Sequence, residues 1–398
     1  MNYLADRVSW INESQTIAMA KAGRELKAKG HDVINLSFGE PDFDTPTHIR
    51  NAAKQAIDDG YTYYTPVAGY PELREAVVNK LKRDNDLDYS MNQIVISTGA
   101  KHSIMNVIMA ITNPGDEIII PTPYRVSYSE MVKLVEGVPV FVDADVESNF
   151  KITAAQLEAA ITPKTKAFLF SSPCNPTGSV YSREELEALK EVFVRYPQIV
   201  IISDEIYEYI NFIGQHESIA QFEELQDRTV IVNGVSKGFA MTGWRIGYIA
   251  APLEIAQACE KLQGQFTSGA SSISQRAALA ALISPLTSAF QMREAFLRRR
   301  DMVLGLLQEI PGFKCNVPDG AFYVFPDVSY YFGKKHANGV IENANDLCLY
   351  ILNTCFVSLV PGEAFGAPKC LRLSYAASDE TLKDAIHRIK EVLSNLQA

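Results

Sequence analysis

Between about residues 45 and 285 the chain alternates short β-branched runs with helix-length amphipathic segments, and this constrains its fold more than anything else in it. Parallel strands cannot be joined by tight turns. Each needs a crossover of a dozen or more residues, usually a helix, so the alternation predicts an α/β fold. Candidate strands are Ile94–Ser97, Glu117–Ile120, Val138–Val142, Ala167–Phe170, Ile199–Ser203, Thr229–Asn233 and Ile246–Ala250. They make a mostly parallel seven-stranded sheet flanked by helices. Thr45-Pro46 and Gly69-Tyr70-Pro71 put proline near a first helical turn, and Leu73, Ala76, Val77 and Leu81 then follow at the spacing of one helix face.

After Pro285 the pattern changes. A long amphipathic helix runs to about Glu309 and stops at Pro311-Gly312. Strand-like pieces follow at Ala321–Phe325, Phe356–Val360 and Leu371–Ser374, with a final helix from about Asp379. A chain of 398 residues exceeds what one core usually serves. The predicted division is an N-terminal arm and part of a small domain (1–44), a large domain (45–285) and a small α+β C-terminal domain (286–398). Within the arm only Val33–Ser37 has a sheet-like pattern.

The net charge of −10 argues against nucleic-acid or anionic-membrane partners. Arg298, Arg299 and Arg300, in the long helix, read as a solvated face. The six cysteines form neither a CxxC pair nor a disulfide framework, and read as reduced, mostly buried thiols. The start of the sequence lacks a signal-peptide pattern and no apolar run reaches membrane-span length, so a cytoplasmic location is expected. The six histidines show neither HxxxH nor HExxH spacing; no metal site is expected, and each reads as surface or core filler.

In open parallel sheets ligands bind beyond the carboxyl ends of the strands, so the residues just after the apolar runs carry the functional signal. Thr98-Gly99-Ala100-Lys101 opens a helix with small residues, where free backbone N–H groups and the helix dipole can hold a phosphate. Glycine at such a turn is ordinarily plain turn chemistry, and the stretch is neither a Walker A motif nor GxGxxG. Ser171 to Gly178 is a proline-rich loop that sets the amide of Asn175 at the sheet edge. Asp204 follows a very apolar strand; it is either a helix N-cap or a buried carboxylate that needs a cationic or donor partner. Lys237 also follows an apolar strand. Desolvation there would lower its pKa and make it a Schiff-base former, although most lysines are solvated. A phosphate cup, a desolvated lysine, a carboxylate three residues before Tyr207, and Arg245 eight residues beyond the lysine are together the parts that pyridoxal phosphate requires.

With these residues the chain resembles the aspartate aminotransferase family of pyridoxal-phosphate enzymes over nearly its whole length. Gly39-Glu40-Pro41-Asp42-Phe43, Tyr64-Thr65-Pro66, Ser172 through Gly178, Ser203 through Tyr207, Ser236-Lys237 through Gly247, and Arg372-Leu373-Ser374-Tyr375 match its motifs in order. The resemblance implies that Lys237 carries the cofactor as a Schiff base and then moves the substrate Cα proton as acid and base. Asp204 would hold the pyridine nitrogen protonated, and Tyr207 and Asn175 would hydrogen-bond the phenolic oxygen. Arg245, Ser236 and the backbone of Gly99, Ala100 and Lys101 would hold the phosphate, with Tyr64 reaching it from a second subunit of a homodimer. Arg372 would bind the substrate α-carboxylate, aided by Gly39 and Asn175. Lys101, Ser14 and Thr16 match the branch that recognises a second carboxylate, which favours aspartate and glutamate with 2-oxoglutarate and oxaloacetate; some members of that branch also aminate prephenate.

Two positions depart from the pattern. Arg125, two residues after Pro123, stands where the family usually stacks an aromatic on the cofactor ring; a guanidinium can stack there or pair with a distal carboxylate. Gly234 replaces a serine that relatives often use for phosphate. The competing readings are an aminotransferase of different or broader specificity, a C–S β-lyase on the same fold, and a ligand-sensing regulator. The last requires a DNA-binding module, for which the sequence leaves no room ahead of Ser14.

Overall fold

The computed structural model describes residues 3–13, 15–337 and 339–397. At its centre is a seven-stranded sheet with the spatial order Ile94–Ser97, Gly247–Ala250, Thr229–Gly234, Val200–Asp204, Thr165–Ser171, Glu117–Thr122 and Val138–Asp143. All neighbours pair in parallel except Gly247–Ala250, which is antiparallel to both of its partners. All seven predicted strands are present, Ile94–Ser97 with the predicted bounds and the others with ends shifted by at most two residues.

The sheet is covered on both faces, which is why its strands read as continuous apolar runs rather than alternating ones. Ile118 and Ile120 join one core with Leu169, Val230, Val232 and Ile249, while Ile119 points the other way and packs with Phe168, Phe170 and Ile201. Each fully buried side chain of this size contributes about 1.5–3 kcal/mol relative to exposure. Helix Pro71–Asn85 carries proline at its first turn and buries Leu73, Ala76, Val77 and Leu81, the face that the spacing predicts.

Beyond helix Thr287–Gln308 lies a small antiparallel sheet in which Leu371–Ser374 runs between Val360–Pro361 and Tyr323–Val324. The run predicted as one strand over Phe356–Val360 is two. Val357–Ser358 pairs in parallel with Ile34–Asn35 of the arm, whereas Val360–Pro361 pairs with Leu371–Ser374, so the chain changes sheets at Leu359. Helix Ala344–Cys355, capped by the Asn343 side chain at Asp346 N, and the short Lys335–His336/Gly339–Val340 pair carry no sequence-level prediction.

The arginine triplet is not a solvated face. Three consecutive helical residues cannot share one side. Arg299 turns inward and makes a two-point pair with Asp42 at 2.8 and 2.9 Å, its guanidinium 5.3 Å from the centre of the Phe43 ring. It also reaches Asp379 and so ties the arm to the last helix. Arg298 pairs with Asp379 from the exposed side, and Arg300 donates to the Pro318 carbonyl.

Among the described residues no helix is long and apolar enough to cross a membrane.

Candidate active site

The carboxyl ends of the parallel strands open on a cavity of about 270 Å³. Each lining element reaches it for a topological reason. Ser236 and Lys237 follow Thr229–Gly234, Ile206 and Tyr207 follow Val200–Asp204, Asn175 lies in the loop after Thr165–Ser171, and Arg125 lies just beyond Glu117–Thr122. Ala100 and Lys101 begin the helix after Ile94–Ser97. Because Gly247–Ala250 runs antiparallel, the residues that precede it lie at this same end, and this places Arg245 here. Phe38, Gly39 and Glu40 close the cavity from the arm.

Lys237 is half-buried, and its Nζ contacts the Gly39 carbonyl oxygen. Burial, reinforced by the charge of Arg125, lowers its amine from the ordinary lysine range to about 7. Asp204 is 1% exposed. Burial raises its carboxyl above the usual range, opposed by Arg125, whose Nη1 lies 3.5 Å from Oδ2, and by the Tyr128 hydroxyl, which donates to Oδ2 at 2.7 Å. The Tyr207 and Tyr323 hydroxyls meet at 2.7 Å. Arg372, also buried, donates to Asn175 Oδ1 at 3.0 Å and to the Ser37 carbonyl at 2.6 Å. Its guanidinium is held between the rings of Tyr323 and Phe365, 4.6 and 4.9 Å from their centres, and its Nε has no partner.

Lys101, Arg125 and Arg245 converge on one side. Burial lowers the Lys101 amine, and the charges of Arg125 and Arg245 lower it further. Among the described residues Asp204 is the only carboxylate that pairs with any of the three. Gly99 has φ +85°, and a Cβ there would lie 2.4 Å from Arg245 Nη2, so only glycine lets the guanidinium approach the helix start. The departure at Gly234 also has a steric cause: a Cβ would lie 2.7 Å from the Ile246 carbonyl oxygen of the adjacent strand.

Of the residues singled out in the sequence, Lys237, Tyr207, Gly39, Ala100, Lys101, Arg125, Asn175, Ser236 and Arg245 share the cavity lining, with Asp204 behind it in contact with Arg125, and Gly99 and Arg372 in contact with it through Arg245 and Asn175. Tyr64 is 99% exposed and does not line its own chain's cavity. Thr16 is half-buried in helix Gln15–Ala28, its Oγ1 without a partner; its neighbour Gln15 lines an adjoining cavity together with Lys101. Ser14 lies outside the described residues. The sequence reading missed Tyr128 and Tyr323. The need of a buried Asp204 for a donor was the available signal for Tyr128, whereas Tyr323 sits unmarked within an apolar strand.

Behind Asp204 lies a second buried group that the sequence reading also missed. His216 Nε2 is 3.1 Å from Glu205 Oε2 but lies off the hydrogen-bond line, and Lys80 Nζ contacts Glu208. Glu205, Glu208 and His216 stand close enough to hold a cation together. Lys80 already supplies one positive charge to the group, and a protonated His216 supplies another, which balances the two carboxylates. His216 is thus part of an ionic network rather than core filler.

The family described as aminotransferase class I and II matches residues 31–389. The chain is 48% identical over 394 residues to a probable aspartate/prephenate aminotransferase of Rhizobium leguminosarum bv. phaseoli, covering 98% of each chain. It is 47% identical over 388 residues to the aspartate aminotransferase of Geobacillus stearothermophilus, covering 97% of this chain and 98% of that one. Among solved structures, the aspartate aminotransferase of Rhizobium meliloti matches with a TM-score of 0.96 at 44% identity over 100% of both chains. That of Thermus thermophilus, solved with maleate, matches with a TM-score of 0.92 at 40% identity over 98% of this chain and 100% of that one. A desolvated lysine, a buried carboxylate and a buried arginine thus sit at the carboxyl edge of a fold shared end to end with these enzymes, and the chain belongs to the aminotransferase class I and II family.

Proposed function

We propose that this chain is a pyridoxal 5′-phosphate-dependent transaminase that moves an amino group reversibly between L-aspartate or L-glutamate and 2-oxoglutarate or oxaloacetate. The observation that carries this reading is Lys237, an amine lowered to about 7 in a cavity whose Arg125 pairs with the buried carboxylate of Asp204 just behind the wall. The residues present fit the cofactor. Lys101, Arg125 and Arg245 suit its phosphate and a further anion, the helix start at Gly99 and Ala100 offers backbone N–H groups, and the unpartnered Arg372 Nε suits a carboxylate.

When bound, pyridoxal phosphate supplies an electron sink for the charge that develops as a substrate Cα loses its proton. Asp204 stabilises positive charge at the ring nitrogen, and Tyr207 and Asn175 hold the phenolic oxygen. Arg245, Ser236 and the backbone of Gly99, Ala100 and Lys101 hold the phosphate. Lys237, in its neutral form, would take the Cα proton as a base and return it to the cofactor C4′ as an acid. Arg372 and Gly39 orient the α-carboxylate. Lys101, Arg125, Thr16 and Ser14 receive the second carboxylate. Two facts support this: the Thermus relative was solved with maleate, itself a dicarboxylate, and several relatives are named for prephenate as well as aspartate.

In this reading the enzyme is a cytoplasmic homodimer with shared active sites, in which the exposed Tyr64 completes the partner's phosphate site. We also propose the division into an arm (1–44), a large cofactor domain (45–285) and a small C-terminal domain (286–398).

Initial rates with L-aspartate and 2-oxoglutarate test the function. The expected result is oxaloacetate and glutamate in equal amounts with parallel double-reciprocal lines. No transfer from aspartate, together with pyruvate release from a sulfur-bearing amino acid, would replace this reading with a C–S β-lyase.

A further inference from the structure

Asp204 and Arg125 form the one ion pair in which the cavity's cations engage, among the described residues. Both charged groups are drawn from the same end of the sheet, Asp204 as the last residue of its strand and Arg125 just beyond the strand Glu117–Thr122. Asp204 Oδ1 accepts from the Ile206 amide at 3.3 Å and keeps one acceptor site, whereas Oδ2 takes both the Tyr128 hydroxyl and the Arg125 guanidinium. No coordination remains on Oδ2 for a third donor. A cationic ring nitrogen and the Arg125 guanidinium therefore compete for the single negative charge of this carboxylate, and at Oδ2 for the same acceptor site.

We infer that Arg125 is the resident counter-ion of Asp204, and that the cofactor must take this carboxylate over from Arg125 in order to be seated. The inference rests on the pyridoxal-phosphate reading. Without the cofactor, Arg125 spares a buried carboxylate from standing unpaired, which is costly. With the cofactor, the ring nitrogen supplies that charge and Arg125 becomes an extra cation beside a pyridinium. Both effects weaken cofactor binding relative to a protein with a neutral side chain here. By the same linkage the cofactor stabilises the wild-type fold less than it stabilises such a variant. Arg125 is thus a positioning residue that sets how firmly the cofactor is held.

The test compares wild type, Arg125→Gln and Arg125→Lys, each stripped of cofactor and then titrated with pyridoxal 5′-phosphate. Titration at about pH 8.5 keeps the wild-type Lys237 amine, at about 7, largely unprotonated; loss of the Arg125 charge raises that amine, which works against the expected gain in affinity and cannot mimic it. For Arg125→Gln the stripped protein should melt lower than wild type, the loaded protein should nearly match it, and the dissociation constant should fall about tenfold. Arg125→Lys, which keeps the charge, should return both readouts toward wild type. If Arg125 served only to pack the cavity, Arg125→Gln would lower both melting temperatures equally and leave or weaken the affinity; that outcome overturns the inference. Should stripped Arg125→Gln fail to fold, Arg125→Lys decides alone, since binding weakened several-fold or more despite the retained charge counts against a counter-ion role. Wild type that takes up no pyridoxal 5′-phosphate sinks the cofactor reading itself, a result distinct from unchanged affinity among the three.

Discussion

The Tyr128 hydroxyl donates to Asp204 Oδ2 at 2.7 Å, and both groups are shut off from solvent. Burial pushes the carboxyl up, and the hydrogen bond pulls it back toward the ionised form. Tyr128 is itself held well above 10 by burial and by Asp204, so it remains a donor throughout the working pH range. Tyr128→Phe should therefore raise the Asp204 carboxyl further. Loss of a hydrogen bond to a charged group costs about 1.5–3 kcal/mol, so kcat should fall at least tenfold. The acidic limb of the kcat/KM profile should also move to higher pH. An unshifted limb at unchanged rate would mean that Asp204 does not depend on this hydroxyl.

Lys237 gives a prediction about stability as well as activity. Its folded amine is lowered to about 7, whereas an unfolded lysine titrates near 10.4. Between those values the unfolded chain binds more protons, so this site's penalty on folding is full below about 7 and disappears as pH rises toward 10.4. Lys237→Met, neutral at every pH and similar in length, should abolish transamination. In the stripped protein it should also exceed wild type in stability by on the order of 2 kcal/mol near pH 7, with the advantage shrinking as pH rises. Denaturant melts at several pH values measure this; a pH-independent difference would place the lysine's titration elsewhere.

The sheet was legible because burial on both faces writes itself as apolar runs, as in Glu117–Thr122. Position after those runs then marked Asp204, Asn175 and Lys237. What stayed hidden depends on side-chain reach. Tyr128 becomes a site residue only because its helix leans over the strand end that carries Asp204, a relation of residues 76 apart. Arg299 looked like the exposed Arg298 and the half-buried Arg300 because a charged triplet does not reveal which member the helix turns inward. Leu359 marks a change of sheet that the run Phe356–Val360 conceals, since both halves are equally apolar. Tyr64 stays without an assigned contact because one chain cannot supply the neighbour it is expected to meet.

The buried network behind Asp204 predicts two distinct pH responses. Burial disfavours the His216 imidazolium, but the charge of Glu205 outweighs it and the pKa is raised above 6.5. Its stabilising effect is therefore complete below about 6.5 and is lost as pH rises through the folded value. Burial raises Glu205, but His216, Ser218 and Ser203 outweigh it, so its effect is lost at the acid end instead. His216→Asn should destabilise the protein most near pH 6, and the difference from wild type should narrow toward pH 9. A gap that widens with pH would reverse the assignment.

Lys80→Met probes the same network from its cationic side. Lys80 is 1% exposed and its ammonium contacts Glu208, donating also to Asn85 Oδ1 at 2.7 Å. Removing one partner of a buried pair leaves the other charge uncompensated and costs about 3–5 kcal/mol. Lys80→Met combined with Glu208→Leu should recover a large part of that loss, because an apolar pair of similar volume is tolerated where a lone carboxylate is not. Additive losses in the double variant would show that packing, not charge, is what Lys80 contributes.

Lys101 offers the sharpest test of substrate choice. It lines both the cavity that holds Lys237 and an adjoining one formed with Asn12, Glu13 and Gln15 of the arm, so it stands where the two meet. Among the described residues it has no anionic partner, and the charges of Arg125 and Arg245 add to burial in lowering its amine. A cation in such surroundings gains most from a ligand that brings its own negative charge. Lys101→Ala should raise KM for aspartate about 10- to 100-fold, the range of one charge-assisted hydrogen bond. Alanine, which lacks the second carboxylate, loses nothing by that route, so the ratio of kcat/KM for aspartate over alanine should fall by the same factor. Any damage to phosphate binding at the helix start would affect both substrates alike and cancel in that ratio. A ratio unchanged by Lys101→Ala would move recognition of the second carboxylate to other residues, with Arg125 next to be tested.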